Sequence, residues 1–175
     1  MKLKRIAIVG PESTGKTWLS GELAKYYHTV WVEEFAREYL SQLGRPYVQD
    51  DLLMIAKGQL RLEREMEKEA KQFLFCDTDL LVVHIWSEVV FGQTDPKILS
   101  LMNLSSYDLH LLTDIDLPWE EDPLREHPYR RKELFDKYQQ FLVEANVPFE
   151  PIRGKGTKRI ESALAALRKH SLVSA

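Results

Sequence analysis

Gly10, Gly15, Lys16 and Thr17 stand in the order G-x-x-x-x-G-K-[ST] within the run IAIVGPESTGKT at residues 6–17, the pattern of a phosphate-binding loop. A polyphosphate needs several N–H donors converging on its oxygens, and glycines let the backbone curl close enough to supply them. Glu12, Ser13 and Thr14 lie between the two glycines and belong to the same cradle. Lys16 would reach the β and γ phosphates of a nucleoside triphosphate such as ATP, and the Thr17 hydroxyl is suited to Mg²⁺. The metal also needs a carboxylate. Phe73, Leu74, Phe75 and Cys76 followed by Asp77 have the form of a Walker B strand, four apolar residues ending on an acid.

Transfer of a phosphoryl group to a hydroxyl also needs a group that orients the acceptor and takes its proton. With Asp77 assigned to the metal, Glu34 and Asp79 are the candidates, and the sequence does not rank them. Glu34 can equally form a structural ion pair with Arg37. Charge on the phosphates must be neutralised at transfer, and Arg125, Arg130 and Arg131 fall in a segment dense in prolines and charges, residues 117–131, which reads as a lid. Arg125 is expected at the transfer step and Arg130 at the nucleotide. Lys155, in the turn Gly154-Lys155-Gly156-Thr157, is expected near the adenine edge. Trp31, Trp86 and Trp119 offer flat faces to a ring, with Trp86 ranked first for its place after Asp77 and Asp79. Such a face would favour a cationic ring by ~0.5–2 kcal/mol.

These groups converge only if strands and helices alternate around them. Strands are expected at residues 5–9, 29–32, 73–77, 109–113 and 147–152. Helices are expected at 16–27, from 34 to about 44, from about 50 to 71, at 80–91, 96–104 and 132–145, and from 157 onward. Asp50 or Asp51 would cap the third helix. The alternating charges of residues 61–69 on it read as a solvated face with weak ion pairs. The order describes an α/β protein of the P-loop NTPase kind, three layers α/β/α with a mostly parallel five-stranded sheet and a lid. Ligands of such sheets gather at the carboxyl ends of the strands, where the loop, Glu34 and Asp77 all fall.

Composition narrows the partners. The 175 residues suit one domain, residues 1–175, with an ordinary hydrophobic share of 44%. A net charge of −3 gives no overall attraction for nucleic acid or an anionic membrane, which favours a small-molecule substrate. Cys76 is the single cysteine, and no Cys/His cluster has zinc spacing. With an N-terminal apolar run too short for a signal peptide and no membrane-spanning stretch, a cytoplasmic protein is expected. No D-x-x-G or N-K-x-D occurs, which argues against a GTPase. Nothing in the sequence sets an oligomeric state.

GPESTGKT, EFARE at residues 34–38, FCDTD at 75–79 and YDLHLLTDIDLPWEEDPLREHP at 107–128 together resemble the ribosylnicotinamide kinase domain of NadR-type proteins. The resemblance implies a P-loop kinase fold, ATP with Mg²⁺, and transfer of the γ-phosphate to the 5′-hydroxyl of nicotinamide riboside to give nicotinamide mononucleotide. Gly10, Gly15, Lys16 and Thr17 match the family's loop, Glu34 and Arg37 its E-x-x-R, Asp77 and Asp79 its D-T-D, and Arg125 its lid arginine after Pro-Trp. NadR-type proteins commonly join this domain to an adenylyltransferase and sometimes to a DNA-binding segment. This chain has no H-x-G-H motif, so conversion of the mononucleotide to NAD is not expected of it. The alternatives are a kinase for another nucleoside, or a regulatory or interaction protein of the P-loop ATPase class.

Overall fold

A computed structural model describes residues 2–173. Strand β1 (Lys4–Val9) sits in the middle of the sheet because its last four residues, 6–9, are apolar and buried on both faces, the composition of a parallel strand covered from two sides. With β2 (Trp31–Val32), β3 (Phe73–Asp77), β4 (Leu109–Thr113) and β5 (Phe149–Ile152) it forms a five-stranded sheet in the order β2-β3-β1-β4-β5. Every pairing is parallel. The connections carry helices α1 (Lys16–Tyr26), α2 (Phe35–Gln42), α3 (Gln49–Met66), α4 (Leu80–Phe91), α5 (Pro96–Leu101) and α6 (Arg131–Glu144), and α7 (Thr157–Lys169) follows the last strand. The expected three-layer α/β/α fold is the one formed.

Alternation along β1 divides the core. Ile6 and Ile8 face one way, with Phe73 and Phe75, against Leu19 and Leu23 of α1 and Leu164 and Leu167 of α7. Ala7 and Val9 face the other way, against Leu81 and Ile85 of α4 and Leu134 and Leu142 of α6. Because β1 lies between β3 and β4, the chain leaves it in both directions, and a crevice opens at the carboxyl ends of these strands. Among the described residues no helix is long and apolar enough to cross a membrane.

Several local expectations are corrected. The second strand is only two residues long; the Thr29 side chain binds backbone instead, donating to the Phe73 carbonyl at 2.7 Å and accepting from the Lys71 N–H at 3.1 Å. Helix α3 stops at Met66, and Asp51 is its third residue and not its cap. Its carboxylate reaches back to the Val48 N–H at 2.7 Å and also receives Arg45 and the Tyr39 hydroxyl. Those donors, Arg45 first, hold Asp51 well below the usual carboxylate range. The short helix α5 ends at Leu101 and is followed by a 3₁₀ turn at Leu104–Ser106.

The charged run on α3 is not wholly solvated. Glu63 is fully buried, accepting from the Arg5 guanidinium and, at 2.9 Å to each oxygen, from the Tyr107 hydroxyl. Both partners lie far away in sequence, at the start of β1 and just before β4. Burial pushes the Glu63 carboxyl up to about 7, against the opposing pull of Arg5 and Tyr107.

Below its ordinary value of 4.5, Glu63 is protonated in both folded and unfolded chains, and its contribution to stability is full; that contribution is lost as pH rises through about 7. Glu63→Gln should therefore flatten the pH dependence. Urea unfolding at pH 5 and pH 8 checks this, and equal losses in the parent and the variant would contradict it.

Candidate active site

The loop between β1 and α1 is shaped by a contact with β4. Gly10 has φ 139°, and a Cβ there would lie 2.6 Å from Thr113 Oγ1. Thr113 Oγ1 is also 2.7 Å from Thr14 Oγ1, which donates to the Pro11 carbonyl at 2.7 Å. Only glycine permits this approach and this φ. Gly15, at φ 74°, turns the chain into α1, whose N-terminus then faces the cradle. The Lys16 ammonium curls over the loop, donating to the carbonyls of Gly10 at 3.0 Å and Pro11 at 2.8 Å.

Arg159, on α7, fastens the loop from below. It is fully buried and donates to the carbonyls of Thr14 at 2.8 Å, Asp114 at 3.1 Å and Gly154 at 2.8 Å, and to Asp116 Oδ1 at 2.9 Å. No sequence pattern signals this role, since an arginine beside the inward stripe of an amphipathic helix reads as surface. Lys155 borders the same cleft from the turn before α7.

The acids separate into different environments. Asp77 ends β3 fully buried, and neither carboxylate oxygen has a hydrogen-bond partner of good geometry among the described residues. Burial and then the Glu34 carboxylate push its carboxyl up, against the Thr17 hydroxyl, Lys16 and Arg37. Two free, hard oxygen donors beside the Thr17 hydroxyl suit Mg²⁺, which uses one or two carboxylates and shares the rest of its shell with water and phosphate. Glu34, at the entry to α2, borders the cleft, with Arg37 Nε 3.6 Å from its carboxylate. Asp79 does not border it. Its side chain is fully buried, caps α4 through the Leu81 N–H at 2.9 Å and lies 3.2 Å from His110 Nε2. Of the two acids that the sequence left unranked, Glu34 therefore faces the open space.

The lid is drawn down onto the loop. The Ser13 hydroxyl accepts from the Glu120 N–H at 2.8 Å and lies 3.4 Å from the Arg125 guanidinium. The Glu12 carboxylate accepts from the N–H groups of Glu126 and, at 2.9 Å, His127. Arg37 donates to Asp122 at 2.9 Å, tying α2 to the lid. The expectation that Arg130 meets the nucleotide is corrected: its guanidinium is paired with Glu133 at 2.7 and 2.9 Å, and its neighbour Arg131 reaches the loop, donating to the carbonyls of Ser13 at 3.2 Å and Leu117 at 2.9 Å. Which of two adjacent arginines turns inward is set by where α6 begins, at Arg131.

The resulting cleft has a volume of about 920 Å³. Its two ends differ. Lys155, Gly156 and Arg159 border the end beside β4 and β5, while Glu34, Arg37, Tyr47 and Trp86 border the end beside β2 and β3. Trp86 is thus a wall of the cleft, and Tyr47, from the connection between α2 and α3, joins it there. Trp31 instead packs against the core, and Trp119 stays in the lid, its indole N–H on Glu121 at 3.0 Å.

The family model described as AAA domain matches residues 5–159. The chain is 29% identical to the trifunctional NAD biosynthesis/regulator protein NadR of Escherichia coli (strain K12) over 153 residues, covering 84% of this chain and 37% of that protein. The NadR of Salmonella typhimurium is 28% identical, covering 86% of this chain and 38% of its own length. The chain therefore spans less than half the length of these curated relatives. A crystal structure of a NadR protein in complex with NR superposes with a TM-score of 0.82 at 24% identity, over 98% of this chain and 51% of that one. A deoxyadenosine kinase from M. mycoides superposes with a TM-score of 0.65 at 16% identity, over 94% of this chain and 99% of its own. At these identities the structural likenesses establish the fold.

Gly10→Ala should weaken binding of a non-hydrolysable ATP analogue about tenfold or more, because the strained φ and the Thr113 contact cost on the order of 1–3 kcal/mol. Isothermal titration checks this; unchanged affinity would remove the contact with β4 from the account of the loop.

Proposed function

This chain belongs to the AAA-domain family, and on that premise we propose that it is an ATP-dependent kinase that transfers the γ-phosphate to the 5′-hydroxyl of nicotinamide riboside. The observation that carries the reading is one cleft with two chemically different ends: the phosphate loop with Lys155 on one side, and Glu34 with Trp86 on the other. A hydrolytic switch needs only the first end. The NadR crystal structure solved with NR and the curated NadR relatives support the choice of acceptor.

Residues divide the work. Backbone N–H groups of residues 10–17 and the Lys16 ammonium bind the β and γ phosphates, so Lys16 must leave the carbonyls of Gly10 and Pro11 for them. The Thr17 hydroxyl and the Asp77 carboxylate would hold Mg²⁺, which when bound would neutralise phosphate charge. Glu34 orients the 5′-hydroxyl and accepts its proton as the oxygen attacks phosphorus, and ADP leaves with the electron pair of the broken bond. Arg125 lies in the lid over the loop and supplies positive charge to the equatorial oxygens at transfer. Arg37, anchored to Asp122, keeps Glu34 under a closed lid, and Trp86 offers its face to the pyridinium ring.

Purified protein given Mg·ATP and a panel of nucleosides should release ADP fastest with nicotinamide riboside; release with a different nucleoside alone would keep the kinase and replace the acceptor. Arg125→Ala should lower kcat by on the order of 10³ while changing ATP affinity only a few-fold. Parallel losses in both would make it a ground-state contact instead.

A further inference from the structure

At the acceptor end of the cleft three side chains form a directed chain of hydrogen bonds. Trp86 Nε1 donates to the Tyr47 hydroxyl at 3.1 Å, and that hydroxyl donates to Glu126 Oε2 at 2.7 Å. An indole N–H can only donate, so the phenol must turn its own proton toward Glu126, which can then only accept. The two rings meet edge to face, with centroids 5.0 Å apart and planes at 67°, which fixes the orientation of both. Burial, and the nearby Glu126 carboxylate, push the Tyr47 phenol up to about 12, so it remains a donor.

The arginines around this end are already matched by carboxylates. Arg37 pairs with Asp122 and Glu34, and Arg45 pairs with Asp51. Glu126 forms no ion pair among the described residues, yet its side chain borders the cleft beside the two aromatic rings. The residue is exposed at the mouth of the cleft, and its place there is fixed by its backbone N–H, which donates to the Glu12 carboxylate of the phosphate loop at 3.1 Å. An oriented anion next to aromatic faces is a complement to a flat ring that carries positive charge: the rings stack on any base, and the carboxylate adds an attraction that only a cationic one receives.

We propose that Glu126, oriented by Tyr47 and Trp86, is the residue by which this site selects a nucleoside whose base is a cation over one whose base is uncharged. The inference rests on the reading of the acceptor as a pyridinium riboside. Because the Glu126 backbone is anchored to Glu12, the residue that meets the acceptor's charge also joins the lid to the phosphate loop, so a cationic acceptor favours the closed lid and a neutral one does not.

The test compares nicotinamide riboside, whose ring is cationic, with its dihydro form, which has the same substituents on an uncharged ring. The quantity read is the ratio of the two kcat/KM values. In Glu126→Gln that ratio should fall about tenfold, with most of the loss in the cationic substrate, and in Tyr47→Phe it should fall several-fold because Glu126 loses its orienting donor. A ratio changed by less than about threefold in Glu126→Gln would overturn the proposal, as would equal losses for both substrates. If the parent protein turns over neither riboside, the acceptor reading itself fails and takes this proposal with it. Turnover of both with an unaltered ratio in the variant sinks the role of Glu126 alone.

Discussion

The buried carboxylate of Asp77 is the constraint on which the site depends. Parallel pairing brings it level with Ile8 of β1, and the Thr78 N–H donates to the Ile8 carbonyl at 3.1 Å, so the acid emerges beneath the phosphate loop. A carboxylate removed from water costs several kcal/mol unless opposite charge or hydrogen bonds replace the solvent. Here the Thr17 hydroxyl, Lys16 and Arg37 offset part of that cost, while Glu34 adds to it. An acid buried at the end of β3, opposed by a second acid at the entry to α2 and eased by a lysine and a hydroxyl, suits a place that receives cations and phosphates together.

From that point the topology distributes the remaining chemistry. The switch between β3 and β4 on the two sides of β1 separates the cleft into an end near β5 and an end near β2. Arg159 binds the loop to the first end through the carbonyls of Thr14 and Gly154. The lid binds it to the second, through Glu12, Ser13, Arg37 and Tyr47. A substrate at either end therefore touches structure that also shapes the phosphate loop, which is the physical requirement for transfer in preference to hydrolysis: the acceptor must be present, and water excluded, when the loop is in its working form.

Much of this was legible in the residues because it is local. The loop spacing, the apolar strand ending on Asp77, the alternation of strands and helices and the lid each occupy a short window. What escaped depends on distant partners. Glu63 lies in a run that looks solvated, and only the approach of Arg5 and Tyr107 across the fold explains its burial. Arg130 and Arg131 are equivalent in sequence until the start of α6 turns one of them toward Ser13. Tyr47 follows a proline in a connection with no periodic pattern, and its place beside Trp86 arises from the packing of that connection against α4. Asp79 looked like a second reacting acid, but His110 and the N-terminus of α4 hold it inside the fold.

The most direct measurement follows the terminal phosphate itself. With ATP labelled at the γ position and nicotinamide riboside in a single turnover, the label is expected in the 5′-phosphate of nicotinamide mononucleotide, with little as inorganic phosphate. Label appearing only as inorganic phosphate, at a rate indifferent to the riboside, would contradict the account and leave a nucleotide-hydrolysing switch in its place.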